Sequence, residues 1–174
     1  MTPTDFYEVI MSEQRIQSII KQYQLEHHPE GGFYKRFYES STTINYGIYE
    51  RPLMTSIHYL LVGNNYSHFH RLDADEMYHY YEGNSDLVIH VFHPDNRYEK
   101  VILGQQIRRY QFCIPAGSWF ASELKLKSEV HYALVGCTVS PGFLFDTFEL
   151  GKKSELTQQY PDHEQLIAEM TLEA

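Results

Sequence analysis

The chain is poor in cysteine, with only Cys113 and Cys137 among 174 residues. Two thiols cannot build a disulfide scaffold, and free thiols in strands belong to a reducing compartment, so a cytoplasmic location is expected. Positive charge is also short: 14 basic residues face 23 acidic ones, a formal net charge of −9 with His neutral. No basic block is present, which argues against nucleic acid or an anionic membrane surface as main partner, because both need local positive potential. No apolar run approaches the roughly 18 residues that a membrane-spanning helix needs. The opening segment MTPTDFYEVIM is acidic and lacks a cationic stretch followed by an apolar one, so no signal peptide is expected. Charged residues make up 21% against 43% hydrophobic ones, the balance of a globular chain rather than a disordered one.

Aromatic residues are plentiful at 15%, including 15 Tyr and 10 Phe, and there are 10 His. Tyr and Phe favour pleated, half-buried surfaces, and His both titrates near neutral pH and binds metals readily. Residues 1–11 carry no strong pattern and read as a loose or swapped arm. Ser12 then looks like an N-cap, and Ile16, Ile19, Ile20 and Tyr23 recur at helical spacing, which predicts an amphipathic helix over 12–24. His28-Pro29-Glu30-Gly31-Gly32 must stop it. Short β-rich runs follow, separated by Gly, Pro and Asn: Phe33–Tyr38, Leu53–Val62, Met77–Tyr81, Leu87–Phe92, Tyr98–Leu103, Ile107–Ile114, Trp119–Leu124, Val130–Val139 and Phe143–Leu150. Their spacing predicts an all-β sandwich or barrel over residues 33–150. A last helix is expected over 162–170, capped by Asp162, with Leu166, Ile167 and Met170 on one face. No linker or repeat divides the chain, so a single domain is expected over 1–174.

The residues most suited to chemistry lie between Gly63 and Gly83. His68 and His70 are two apart and face one side of a strand. Glu76 opens the next strand, which antiparallel pairing brings opposite them. Two imidazoles and a carboxylate on one barrel wall can hold a divalent metal with open positions, form an acid/base set, or simply hydrogen-bond at a barrel mouth.

The sequence H-x-H, then Glu, then six residues and Gly resembles the first motif of the cupin superfamily, and Pro115-Ala116-Gly117 resembles the turn of its second motif. More specifically, four stretches resemble a family of small cupins of unknown function: His28-Pro-Glu-Gly-Gly32, His70-Arg-Leu-Asp-Ala-Asp-Glu76-Met-Tyr-His79-Tyr-Tyr-Glu-Gly83, Pro115-Ala-Gly-Ser-Trp-Phe120 and Leu134-Val-Gly-Cys-Thr-Val-Ser-Pro-Gly-Phe143. The resemblance implies a cupin double-stranded β-helix, a jelly-roll barrel with an N-terminal and a C-terminal helix, a ligand pocket inside it, and a homodimer. It implies no settled reaction. Two departures bear on metal binding. Five residues separate His70 from Glu76 where metal cupins have three or four, and Phe120 stands where a ligand His is usual, leaving at most His68, His70 and Glu76 unless His131 substitutes.

If Glu76 points inward, Tyr78 and Tyr80 share its face. His79 then points away unless a bulge re-aims it, though the family pattern includes it. Tyr78, Tyr80, Tyr132 and Trp119 are candidates for a wall that stacks on a ring, or for ordinary barrel core. Arg71 can hold a carboxylate or phosphate, or pair with Asp73 or Asp75. Glu30 reads as a structural residue of its turn, or as one reaching the pocket.

The functional expectation is a small polar metabolite bound in the barrel, with a metal-independent, sugar isomerase- or epimerase-like reaction. His70 would act as base, Glu76 would tune it, and Tyr78 or Tyr132 would act as acid. That comparison to dehydrorhamnose epimerases rests on fold alone. The alternatives are a metal-dependent isomerase or dioxygenase using a divalent ion on His68, His70 and Glu76, and a ligand-binding module without turnover.

Overall fold

A computed structural model describes residues 3–172. Helix α1 spans Pro3–Tyr23, and thirteen strands follow. They are β1 (Glu26–His27), β2 (Phe33–Glu39), β3 (Thr43–Tyr46), β4 (Tyr49–Pro52), β5 (Thr55–Val62), β6 (Tyr66–Arg71), β7 (Asp75–Gly83), β8 (Leu87–Phe92), β9 (Tyr98–Leu103), β10 (Gln111–Ile114), β11 (Trp119–Leu124), β12 (Tyr132–Ser140) and β13 (Glu149–Leu150). Two short helices close the chain, α2 (Lys153–Gln159) and α3 (Glu164–Met170), joined by one 3-10 turn at Pro161–His163.

Eleven of the strands form two antiparallel sheets that face each other. One runs β1-β2-β5-β12-β7-β10 and the other β13-β6-β11-β8-β9, the jelly-roll arrangement anticipated above. Alternation sorts each strand onto two faces. Tyr59 and Leu61 of β5, Tyr78 and Tyr80 of β7, Leu87, Ile89 and Val91 of β8, Phe120 of β11 and Val135 of β12 share one buried core between the sheets. The outer faces need covers of their own. Helix α1 lays Ile16 and Ile19 on Leu60, Tyr132 and Leu134, and the Arg15 guanidinium grips both carboxylate oxygens of Glu82, at 2.8 and 2.6 Å. On the other sheet, Leu156, Tyr160, Ile167 and Met170 cover Phe69, Phe92, Trp119 and Ala121. With both faces covered, β8 is buried at every residue.

Three expectations need correction, and one element was not foreseen. The first helix begins at Pro3, not Ser12, so residues 3–11 are helical rather than a loose arm, and residues 1–2 lie outside the described residues. Pro is tolerated in a first turn. Phe6, Tyr7 and Met11 are exposed, so no buried stripe announced that half of the helix. The C-terminal helix expected over 162–170 starts at Glu164, and α2 precedes it. Phe143–Leu150 is not a strand: it is a loop with one 3-10 turn at Phe145–Thr147 and a two-residue strand. Finally, β3 and β4 make a hairpin that the sequence did not signal, turning at Gly47 with φ +61°.

Candidate functional site

The turn between α1 and the barrel sets the site. Gly31 and Gly32 have φ of +108° and +70°, a region that L side chains avoid. A Cβ on Gly31 would lie 2.1 Å from the carbonyl oxygen of Tyr66, so only glycine lets the turn press onto β6. The hydroxyl of Tyr59 donates to the Gly31 carbonyl at 2.8 Å, and the backbone N–H of His68 donates to the Glu30 carbonyl at 2.8 Å. The turn is thereby held against β5 and β6, and it drives the Glu30 side chain, only 5% exposed, into the barrel.

Inside, Glu30 meets three partners. Ser67 Oγ donates to its Oε1 at 2.8 Å. Its Oε2 lies 3.1 Å from His70 Nε2 and 3.4 Å from His28 Nδ1. The tautomers follow from the backbone. His70 Nδ1 is 2.7 Å from the carbonyl oxygen of His68, which only accepts, so Nδ1 carries a proton. A neutral His70 therefore turns a lone pair at Glu30, and one proton must sit between Nε2 and Oε2. The backbone N–H of Glu30 donates to His28 Nδ1 at 3.2 Å, which places the proton of neutral His28 on Nε2. Burial disfavours charge on all three: it pushes His70 down to about 4, lowers His28, and raises the Glu30 carboxyl.

Glu76 enters from β7, where it pairs with Ile114 on one side and Val139 on the other. Its carboxyl is buried beside the Cys137 thiol and is pushed up to about 8, first by desolvation and then by nearby Glu30. Its Oε2 is buried with no hydrogen-bond partner. Such an orphaned group costs about 1–3 kcal/mol unless a ligand or water meets it.

Glu30, His28, His70 and Glu76 line one cavity of about 210 Å³ at an end of the barrel. Apolar groups complete the wall: Leu72 and Val139 from the barrel, and Phe143, Phe145 and Phe148 from the loop before β13. Lys35 and Arg36 border it as well, the first near Glu26 and the second on Glu39. Phe120 sits with its ring centroid 4.0 Å from that of His70, and Phe148 lies 5.5 Å away on that ring.

The structure brings His70 and Glu76 to this cavity and leaves the other named residues elsewhere. His68 turns its Nδ1 to the Glu30 carbonyl oxygen at 2.7 Å and does not line the cavity, because the glycine turn lies against it. His131 bonds Ser128 Oγ at 2.8 Å, far from this cluster along the chain and outside the cavity lining. With Phe120 against His70, the trio His68, His70 and Glu76 does not fit a metal ion. Among the described residues no group of three or more His, Cys, Asp or Glu is arranged to hold one. Tyr78 points inward as expected but is spent in the core, edge-on to Phe120. Tyr80 donates to the Ser85 carbonyl at 2.9 Å and borders a second, smaller cavity. Tyr132 and Trp119 have the wrong parity: Cys137 and Phe120 face in, so these two face out, under α1 and the C-terminal helices. Arg71 pairs with Glu149, not Asp73 or Asp75, and stacks on the Trp119 ring at 4.5 Å. His79 points away from the barrel and meets Gln111 at 3.0 Å.

The residues that sequence reasoning undervalued are Glu30, His28, Cys137 and the three phenylalanines. For Glu30 and His28 a signal existed, since paired glycines beside a carboxylate mark a close backbone approach. The family model for the cupin superfamily group DUF985 matches residues 17–151. The chain belongs to this cupin family. It is similar to a solved protein from Shewanella oneidensis, at 37% identity over 90% of this chain and 97% of that one, with a TM-score of 0.81. A hypothetical protein from Leishmania major is 32% identical over 90% of this chain and 98% of that one, at a TM-score of 0.82. Oxalate decarboxylase from Bacillus subtilis shares the cupin fold at 13% identity and a TM-score of 0.52, covering 83% of this chain and 36% of that one. No curated protein matches.

Proposed function

We propose that this cupin binds a small polar metabolite in its barrel cavity and moves a proton next to a carbonyl, as isomerases and epimerases do, without a metal. The observation that carries the reading is the unpartnered, buried Oε2 of Glu76 in the cavity that also holds the Glu30–His70 pair. Glu76 keeps its proton at neutral pH and is placed to donate it to a carbonyl oxygen. Glu30 and His70 share one proton and act as a unit. When that proton passes from Glu30 to His70, the Glu30 carboxylate is left to take the proton from the carbon beside the carbonyl. Glu76 gives its own to the oxygen; Glu30 then returns a proton to the same carbon or its neighbour as the enol O–H gives its proton back to Glu76. His70 thus holds and orients rather than acting alone as base, and neither Tyr78 nor Tyr132 is needed as acid.

The test is exchange of α-protons in deuterated water, followed by proton NMR over a panel of ketones, aldehydes, 2-oxo acids and sugars. Wild type is expected to exchange at least one compound, and His70→Ala and Glu76→Gln to lose that exchange while still folding. Exchange that persists in both variants, or that needs added divalent metal, refutes the reading.

A further inference from the structure

Several hydrogen-bonding groups of this cavity are already paired. Glu30 spends Oε1 on Ser67 and Oε2 on His70. His28 spends Nδ1 on the Glu30 backbone N–H, and Thr55 Oγ1 accepts from the Phe143 backbone N–H at 2.9 Å. The Cys137 thiol lies against Glu76. The buried oxygen left over is Oε2 of Glu76. Beside these polar groups the wall is Phe143, Phe145, Phe148, Leu72, Ile57 and Val139, with the Phe148 ring 5.5 Å from that of His70 and the Phe145 ring 6.4 Å from that of His28. A volume of about 210 Å³ also lies below the roughly 300–1,000 Å³ that drug-sized ligands fill.

A monosaccharide carries a hydroxyl on nearly every carbon, and each one buried without a partner costs binding energy. A wall of phenyl and alkyl groups leaves most of them stranded. A ligand with one acceptor oxygen and an apolar body satisfies Glu76 and fills the rest by contact alone. We infer that the cavity takes a small carbonyl compound with an aliphatic or aromatic body, its carbonyl oxygen accepting from Glu76 and its body against the phenylalanine wall, rather than a polyhydroxylated sugar. This rests on the proposed role of the cavity and names the substrate class within it. Lys35 and Arg36 at the border are each next to a carboxylate, so a charged tail on the ligand is not required.

The probes are phenylacetone, cyclohexanone and phenylpyruvate, set against D-glucose and L-fucose, with binding read by saturation-transfer NMR and by titration. At least one carbonyl probe is expected to bind ten-fold or more tightly than either sugar. Glu76→Leu is expected to weaken that binding by ten-fold or more, and Phe148→Ala by a similar factor, whereas Tyr81→Ala, on the opposite face of β7, leaves it unchanged. Glu76→Gln, which keeps an N–H donor, retains part of the affinity and guards against a leucine variant that fails to fold. Sugars that bind as well as the ketones, no carbonyl probe binding at all, or affinity indifferent to Glu76→Leu and Phe148→Ala each overturn the inference. Ketone binding without α-proton exchange leaves the ligand class standing and removes the catalytic reading. Exchange on a sugar does the reverse.

Discussion

At the scale of single residues, the site depends on keeping protons where water would take them. Glu76 has an ordinary value of 4.5 and is held at about 8 in the fold. Below pH 4.5 both folded and unfolded chains carry the proton, so burial adds no pH-dependent penalty. Above it, the unfolded chain ionises and the fold must not, so stability falls by up to about 1.4 kcal/mol per pH unit until roughly pH 8, then levels off. Urea denaturation from pH 4.5 to 8.5 should show this decline in wild type, and Glu76→Gln should flatten it relative to wild type while leaving the contributions of Glu30 and His70. A second residue-scale prediction concerns Gly31. Alanine there meets the Tyr66 carbonyl and an unfavourable φ, so Gly31→Ala should cost about 2–4 kcal/mol. Nitrogen NMR of the His70 ring should change as well, because Glu30 loses its seat.

At the scale of elements, the loop that walls the cavity is fastened from behind. Arg51, 1% exposed, donates to the carbonyls of Gly142 and Pro141 at 2.8 and 3.2 Å and to Asp73 at 2.8 Å. Arg51→Met keeps the bulk but orphans those acceptors. It should lower stability by about 2–4 kcal/mol and loosen the phenylalanine wall, read as faster amide exchange over residues 141–148. Element types were mostly legible from the sequence wherever one face was buried. β8, β9 and β11 span the residues that the pattern said, with Asn84 before β8, Pro94 after it, Gly104 after β9 and Gly117 before β11 as punctuation. The loop of residues 143–148 was misread because alternating phenylalanines mimic a strand, while here the rings serve a cavity instead of a sheet. Much of the site was hidden for a related reason. Parity showed that Glu76, Tyr78 and Tyr80 share a face, but it could not say that Phe120 divides that interior, nor that a turn some forty residues upstream would supply Glu30, the carboxyl that faces His70.

At the scale of the whole molecule, the fold offers no assembled ligand set to a divalent ion among the described residues. Elemental analysis of protein purified without chelator should find well under one equivalent of any transition metal, and the melting temperature should not move with EDTA. We propose that the chain forms the homodimer that the sequence resemblance implied, in which case light scattering on eluting protein should return twice the monomer mass. On the outer face of the six-stranded sheet, the exposed Phe37 and Tyr81 flank His58, which stacks on Tyr23 of α1, and variants of these two are where the dimer should weaken if that face is shared.

The anchoring of the phenylalanine loop also bears on admission to the interior. With the carbonyls of residues 141 and 142 pinned and Gly151 N–H bonded to Phe69 at 2.7 Å, the segment between has little freedom to swing away as a flap. Phe145, about half exposed, is the part left to move. Passage along this side of the cavity is therefore set by what rotation of that ring allows rather than by the parting of a strand.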